Sequence, residues 1–206
     1  MFVTPVNYLN FETFIFYNMS DKLEDKQLII ITGSEGRQEV FDIVTTVLTK
    51  YQKPFIAFKA GEENLTNIGK EPVAVVLCDE GDLKNYAHHI ALITNIKDTG
   101  DGDFDKHVRN FEKMVDRTPK AGSVVYHEDD SISAVICKKE RPDVNAYSFS
   151  SPAIKHNGDE SIFKAEKEEI ILKDCDERRA LSIKAAYALL KILRVSEKDF
   201  INILEK

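Results

Sequence analysis

The chain has 206 residues, of which 43% are hydrophobic, and a formal net charge of −7 from 28 basic and 35 acidic side chains. This length accommodates one large domain or two small ones and provides enough apolar residues for a substantial core. The negative charge argues against nucleic acid or an anionic membrane surface as a partner.

Cysteine usage indicates a reducing compartment. The three cysteines, Cys78, Cys137 and Cys175, are odd in number and lack the spacing of a metal site. Because Cys78 and Cys137 lie within apolar runs, we expect buried free thiols. Thiols of that kind are typical of the cytoplasm.

The first 26 residues are expected to form an arm or connector before a single α/β domain that spans residues 27–206. Aromatic residues are frequent between Phe2 and Tyr17, but the segment has no basic n-region, and Asn7 and Glu12 interrupt it. It is therefore predicted to be neither a signal peptide nor a membrane span. We expect this aromatic arm to pack on the body of the domain.

Residues 28–39 predict a strand, a glycine-rich loop and the start of a helix. Leu28–Ile31 is an apolar, β-branched run that favours a buried strand. Gly33 and Gly36 favour a tight turn, and apolar residues then recur at helical spacing from Val40 to Tyr51. This order of elements aims backbone N–H groups at a phosphate.

The loop nevertheless lacks the side chains of phosphate chemistry. A phosphate-binding loop of this type uses a Lys for the phosphates and a Ser or Thr hydroxyl for Mg²⁺. Those places hold Arg37 and Gln38, while Glu35 and Glu39 add negative charge where a nucleotide would bring more. The sequence therefore predicts nucleotide-binding ancestry without a present-day nucleotide enzyme. The degenerate loop comprises Gly33, Ser34, Glu35, Gly36, Arg37 and Gln38.

Strands and helices are predicted to alternate as far as residue 126. A helix over Asp103–Arg117 ends at Thr118-Pro119. Near-continuous apolar strands that alternate with helices indicate a parallel sheet covered on both faces. The further strands of this sheet are predicted at Phe55–Phe58, Val73–Cys78, His89–Thr94 and Ser123–Tyr126.

Beyond residue 130 the pattern predicts antiparallel hairpins and then two helices. The helices are expected over Asp176–Leu193 and, with Ser196 as N-cap, over Glu197–Glu205. The fold class that results is α/β, a Rossmann-like three-layer domain with a mainly parallel sheet and a small antiparallel addition. The hairpin strands are predicted at Ser133–Lys138, Asn145–Ser150, Ser161–Ala165 and Glu168–Leu172.

Several strings in this order resemble the central, ATP-binding domain of the Mur ligases. They are Ile-Thr-Gly-Ser-Glu-Gly at 31–36, Cys-Asp-Glu at 78–80, His-Ile-Ala-Leu-Ile-Thr-Asn-Ile at 89–96, Asp103-Phe104 and Lys120–Tyr126. Members of this family are ATP-dependent amide ligases of peptidoglycan assembly and recycling. The resemblance is greatest to the ligase that joins a recycled tripeptide to UDP-MurNAc, and it implies the fold of that domain.

The resemblance also places the family's functional positions on residues unsuited to them. The P-loop Lys falls at Arg37 and the Mg²⁺ hydroxyl at Gln38, and a second metal-binding His falls near Thr99 or Gly100. The metal-binding Glu falls at Leu77, so that Asp79 or Glu80 could serve only after a register change. The resemblance therefore implies a degenerate metal-site region at Leu77, Asp79 and Glu80, and a degenerate adenine-side region at Glu177, Arg178 and Leu181.

Our leading hypothesis is a catalytically degenerate Mur-ligase-like domain that acts by binding or interaction. It would use no cofactor or metal, lack the two flanking domains of the family, and associate as a homodimer or with another protein chain. One alternative is a diverged ATP-dependent amide ligase or ATPase that uses ATP and Mg²⁺ and is completed by a partner chain. Another is a nucleotide or anion sensor without hydrolysis.

The acidic loop Asp98–Asp105 departs from EF-hand spacing, and we expect it to cap the following helix and to bind no metal. Ser148–Ser151 has no partner spacing for nucleophilic catalysis. Arg178 and Arg179 oppose the helix dipole, and they are either exposed or paired with Glu35 or Glu39.

Overall fold

A computed structural model describes residues 23–62, 69–98, 100 and 102–205. The predicted aromatic arm, Phe2–Tyr17, and Thr99 lie outside the described residues.

The centre of the fold is a six-stranded sheet in which every neighbouring pair is parallel. Its strand order is β2-β3-β1-β4-β5-β6, so β1 lies between β3 and β4. The predicted parallel sheet is thereby confirmed. The strands are β1 (Gln27–Thr32), β2 (Phe55–Lys59), β3 (Val73–Leu77), β4 (Ile90–Ile93), β5 (Ser123–His127) and β6 (Asn145–Phe149).

Side-chain alternation in β1 divides the core into two clusters. Ile29 and Ile31 pack on one face of the sheet with helices α1, α4 and α5, whereas Leu28 and Ile30 pack on the other with α2 and α3. Because both faces are covered, the inner strands β3 and β4 are apolar along their whole length. The helices are α1 (Arg37–Lys50), α2 (Phe104–Asp116), α3 (Ser131–Lys138), α4 (Glu177–Ile192) and α5 (Glu197–Leu204).

A small antiparallel sheet follows the parallel one, as predicted. It consists of β7 (Lys155–Asn157), β8 (Glu160–Lys164) and β9 (Glu169–Lys173). Phe163 and Ile170 anchor it in the cluster that contains α1 and α4. The expected caps also form, since Asp103 accepts a hydrogen bond from the Lys106 N–H and Ser196 accepts one from the Asp199 N–H.

Two predicted hairpin strands are wrong. Ser133–Lys138 belongs to helix α3, because the Asp130 carboxylate accepts hydrogen bonds from the N–H groups of Ile132 and Ser133 and starts a helix there. Asn145–Ser150 does contain a strand, β6, but it pairs parallel to β5. Helix α3 serves as the crossover between these strands, and a crossover of that kind makes them parallel.

The expectation of buried free thiols is confirmed. Cys78, Cys137 and Cys175 are all buried and unbonded to one another. Burial raises the pKa of each thiol, that of Cys137 to about 12. Separately, none of the helices in the described segments is long and apolar enough to cross a bilayer.

His88 is buried two residues before β4, with 2% of its surface exposed. Its Nε2 lies 3.0 Å from Thr118 Oγ1, while within the described ranges its Nδ1 has no hydrogen-bond partner. Burial lowers the pKa of His88 from 6.5 to about 4. The unfolded chain therefore binds a proton between these two values that the folded chain does not.

We predict that His88 makes the domain sensitive to acid. As the pH falls from 7 to 5, proton uptake by the unfolded state should lower the free energy of unfolding by about 2 kcal/mol. Urea unfolding at both pH values should show this loss in the wild type and in His156→Gln, which alters an exposed histidine, but far less of it in His88→Gln. An equal loss in all three proteins would contradict the assignment.

Candidate functional site

The glycine-rich loop leaves β1 at Thr32 and approaches the end of β4. Gly33 has φ +133° and Gly36 has φ +75°, both in the region that favours glycine. A Cβ atom on Gly33 would lie 2.0 Å from Thr94 Oγ1. The close contact between the loop and Thr94 therefore requires glycine at position 33.

Asn95 occupies two backbone donors of this loop. Its carbonyl oxygen accepts a hydrogen bond from the Ser34 N–H (3.1 Å), and its Oδ1 accepts one from the Glu35 N–H (2.9 Å). Thr94 Oγ1 donates to the Glu35 carbonyl (2.6 Å). The N–H groups of Ser34 and Glu35 are thus directed at the neighbouring chain segment.

Lys97 closes the loop from the same side. Its Nζ donates to the Glu35 carboxylate (2.6 Å), and its backbone N–H donates to Ser34 Oγ (2.9 Å). The hydrogen bond from Lys97 holds the pKa of Glu35 below its usual range. In the part of the chain that the structure describes, neither Arg178 nor Arg179 forms an ion pair with Glu35 or Glu39. Both arginines are exposed, which is the first of the two predicted alternatives, exposure or pairing with a glutamate.

A cleft of about 390 Å³ lies between the loop and the start of α4. Glu35 and Gly36 form one wall, and Glu177, Arg178 and Leu181 form the opposite wall. The structure therefore brings the two ends of the predicted nucleotide site to one place. The remaining lining residues are Val40, Thr94, Asn95, Lys97, Phe149, Ser151, Pro152, Ser182 and Ala185.

No family model matches the sequence, and no curated protein is significantly similar to it. Solved structures, however, match nearly the whole chain. MurF from Acinetobacter baumannii superposes with a TM-score of 0.78 at 18% identity, over 98% of this chain and 53% of that protein. The chain has the Mur ligase fold.

Two other ligases share this fold. The UDP-N-acetylmuramate:L-alanyl-γ-D-glutamyl-meso-diaminopimelate ligase from Neisseria meningitidis gives a TM-score of 0.72 at 15% identity, over 92% of this chain and 68% of its own. MurF from Thermotoga maritima, in complex with ADP, gives 0.70 at 16% identity, over 97% and 55%. The chain spans about half the length of the MurF structures, and at these identities the similarity establishes the fold alone.

Within this Mur ligase fold, Arg37 does not face the cleft as a free cation. Its Nη1 donates to the Gly33 carbonyl (2.6 Å), and its Nη2 forms an ion pair with the Asp79 carboxylate. Gln38 donates along α1 to Asp42 (2.8 Å). Arg37 and Gln38, which were predicted to stand in place of the lysine and the hydroxyl, are therefore both engaged in contacts within the chain.

The predicted metal-site region is likewise occupied by protein contacts. Leu77 is 8% exposed and packs in the core between Ile31 and Lys59 of the adjoining strands. Glu80 lies in the 3₁₀ turn after β3 and binds His107 and Asn110, which both project from α2. Burial raises the pKa of Glu80, but the hydrogen bonds from Asn110 and His107 outweigh it and hold that pKa below its usual range.

Neither His107 nor Asn110 was predicted to be a site residue. Their spacing of three places both on one face of α2, which was a detectable signal. Among the residues that the structure describes, no group of three or more His, Cys, Asp or Glu side chains is arranged to hold a metal ion.

His127 and Ser151 also meet near the C-terminal ends of the parallel strands, although no partner was predicted for Ser148–Ser151 from its spacing. Ser151 Oγ lies 3.0 Å from His127 Nε2, and the His127 ring stacks on Phe149 at 5.2 Å. The Asp129 carboxylate is 3.4 Å from the same nitrogen. A catalytic triad needs the carboxylate on the other ring nitrogen, so this arrangement does not activate Ser151 as a nucleophile.

Proposed function

We propose that this chain is a Mur-ligase-like domain that acts by binding or interaction and does not turn over ATP. The observation that carries the proposal is the internal closure of the phosphate loop. Asn95 takes the N–H groups of Ser34 and Glu35, and Arg37 is held by the Gly33 carbonyl and Asp79. We take residues 27–206 as one functional unit, with residues 1–26 as its connector.

Charge pairing supports the same conclusion. Phosphoryl transfer depends almost wholly on cations and metal ions placed around the phosphates. Two basic side chains at the loop, Lys97 and Arg37, are paired with Glu35 and Asp79. An incoming phosphate would have to break both pairs, and Leu77 offers no oxygen ligand to the Mg²⁺ that accompanies ATP.

A second candidate is a nucleotide or anion sensor without hydrolysis, and the cleft itself favours it. Apolar side chains such as Val40, Phe149 and Leu181 line its interior, while Lys97 and Arg178 provide positive charge. A ligase completed by a partner chain is distinguished from this sensor by its dependence on Mg²⁺. The Mur ligase fold makes the cytoplasm and cell-wall metabolism the natural setting for all three functions.

We predict that ATP with Mg²⁺ leaves the melting temperature unchanged. A ligand at a hundred times its Kd stabilises the native state by about 2.7 kcal/mol, which for a chain of this size raises the melting temperature by roughly 5–10 °C. Thermal unfolding at about 5 mM ATP therefore detects a Kd of about 50 μM. MurF from Thermotoga maritima with ADP is the positive control. A shift of several degrees in this protein would refute the proposal.

A further inference from the structure

The parallel sheet ends in two edge strands that differ in how they are protected. Strand β2 follows Pro54 and ends at Lys59, and charge and proline are features that discourage edge pairing. Strand β6, Asn-Ala-Tyr-Ser-Phe, contains neither charge nor proline. Four of its five residues are exposed, from Asn145 to Ser148. Within the described part of the chain, β6 is thus the less protected of the two edge strands.

Backbone pairing with β5 identifies which groups of β6 point outward. The Asn145 N–H donates to the Gly122 carbonyl, and the Phe149 carbonyl accepts from the Glu128 N–H. Alternate residues of a parallel strand bond to the same neighbour, so Asn145, Tyr147 and Phe149 face β5. The N–H and C=O groups of Ala146 and Ser148 therefore face away from the sheet.

An aromatic side chain accompanies this open edge. Tyr147, at the centre of β6, is 45% exposed. The Glu128 carboxylate, which accepts from Ser148 Oγ (2.8 Å), belongs to the segment after β5, one strand in from the edge. If β6 paired with a second β6, no charged residue of one strand would therefore face a charged residue of the other.

We infer that β6 binds β6 of a second copy of this chain, antiparallel about a two-fold axis at Tyr147. In this register Ala146 of one copy faces Ser148 of the other, and the outward groups of both residues form a hydrogen-bonded pair on each side of the axis. The two Tyr147 side chains meet at the centre of this pairing. Like charges directly opposite each other would destabilise such a pair, and β6 carries none. The result is a continuous twelve-stranded sheet, and the inference does not depend on the inactivity towards ATP.

The register can be tested by a cysteine cross-link. At the axis the two Cα atoms of residue 147 form a non-hydrogen-bonded pair about 4.5 Å apart, a separation that a disulfide spans. Mild oxidation of Tyr147→Cys should give a dimer on a non-reducing gel. Ile171→Cys is the matched control, because Ile171 is 46% exposed on β9 and should remain monomeric. The three native cysteines are buried and contribute little background.

A proline substitution tests the edge itself. For so short an interface we expect the wild-type dimer to dissociate with a Kd of about 1–100 μM. Ala146→Pro removes an outward N–H, and this variant should therefore sediment as a monomer. Ala57→Pro removes an outward N–H of β2 and should leave the dimer intact. The inference would be overturned by any of three results: a monomeric wild type at about 300 μM, a dimer that is dissociated by Ala57→Pro but not by Ala146→Pro, or the absence of a cross-link at position 147. Melting curves verify that each variant is folded.

Discussion

Replacing Gly33 with alanine should destabilise the domain by about 3–5 kcal/mol. Two costs combine at this position. An L-residue at φ +133° is strained, and its Cβ would lie 2.0 Å from Thr94 Oγ1 and 3.0 Å from the Thr94 nitrogen and the Asn95 carbonyl oxygen. Moving Thr94 away would also break its hydrogen bond to the Glu35 carbonyl.

Gly36→Ala is the matched control for this change. Gly36 also has a positive φ, +75°, but the nearest atom to an added Cβ is Ser182 Oγ at 3.5 Å. Only the backbone cost should remain, about 1–2 kcal/mol. Urea unfolding should therefore rank the wild type above Gly36→Ala and Gly36→Ala well above Gly33→Ala. Equal losses would mean that the contact between the loop and Thr94 is absent in solution.

Introducing the lysine and the hydroxyl of a phosphate-binding loop should fail to produce an ATPase. Arg37→Lys with Gln38→Thr supplies the two side chains that phosphate chemistry needs. In this variant, however, Asn95 still accepts the hydrogen bonds of the Ser34 and Glu35 N–H groups. Lysine also cannot bridge Gly33 and Asp79 as the planar guanidinium does. The double variant should show no turnover above background. It should lose no more than about 1 kcal/mol of stability, because the ion pair between Arg37 and Asp79 is exposed to solvent.

Adding Leu77→Glu to the double variant tests the metal position separately. A carboxylate at this buried strand end should be strongly destabilising without a cation. Mg²⁺ should then raise the melting temperature of the triple variant and leave that of the double variant unchanged. ATP turnover by the double variant would show that Asp79 or Glu80 can serve as the metal ligand after all.

The sequence predicted the parallel sheet because its strands carry that information locally. Apolar runs such as Leu28–Ile31 and Val73–Cys78 are long enough to be recognised without knowledge of their neighbours. Residues 131–138 misled because Ile132, Val135 and Ile136 favour strands by propensity, whereas Asp130 caps a helix whose buried face includes Ala134 and Cys137. That single error also gave β6 the wrong direction.

The candidate site was predictable only in part. The loop sequence predicts a degenerate phosphate site, but the partners that close the loop lie far away along the chain. Asn95 is about sixty residues from Ser34, and Asp79 is 42 residues from Arg37. These residues are close because β1 lies between β3 and β4, which places the C-terminal ends of the three strands side by side. The order of the strands depends on tertiary packing, which local sequence patterns do not encode.

Calorimetric titration of the unmodified protein with ATP, with and without Mg²⁺, tests most directly whether the phosphate loop is closed. The internal bonds of Asn95, Lys97 and Arg37 predict no heat of binding beyond dilution at millimolar ATP in either condition. Binding that requires Mg²⁺ would contradict this account and favour an active ligase. Binding that is independent of Mg²⁺ would also contradict it, and would favour a sensor in which phosphate displaces the ion pairs of Glu35 and Asp79.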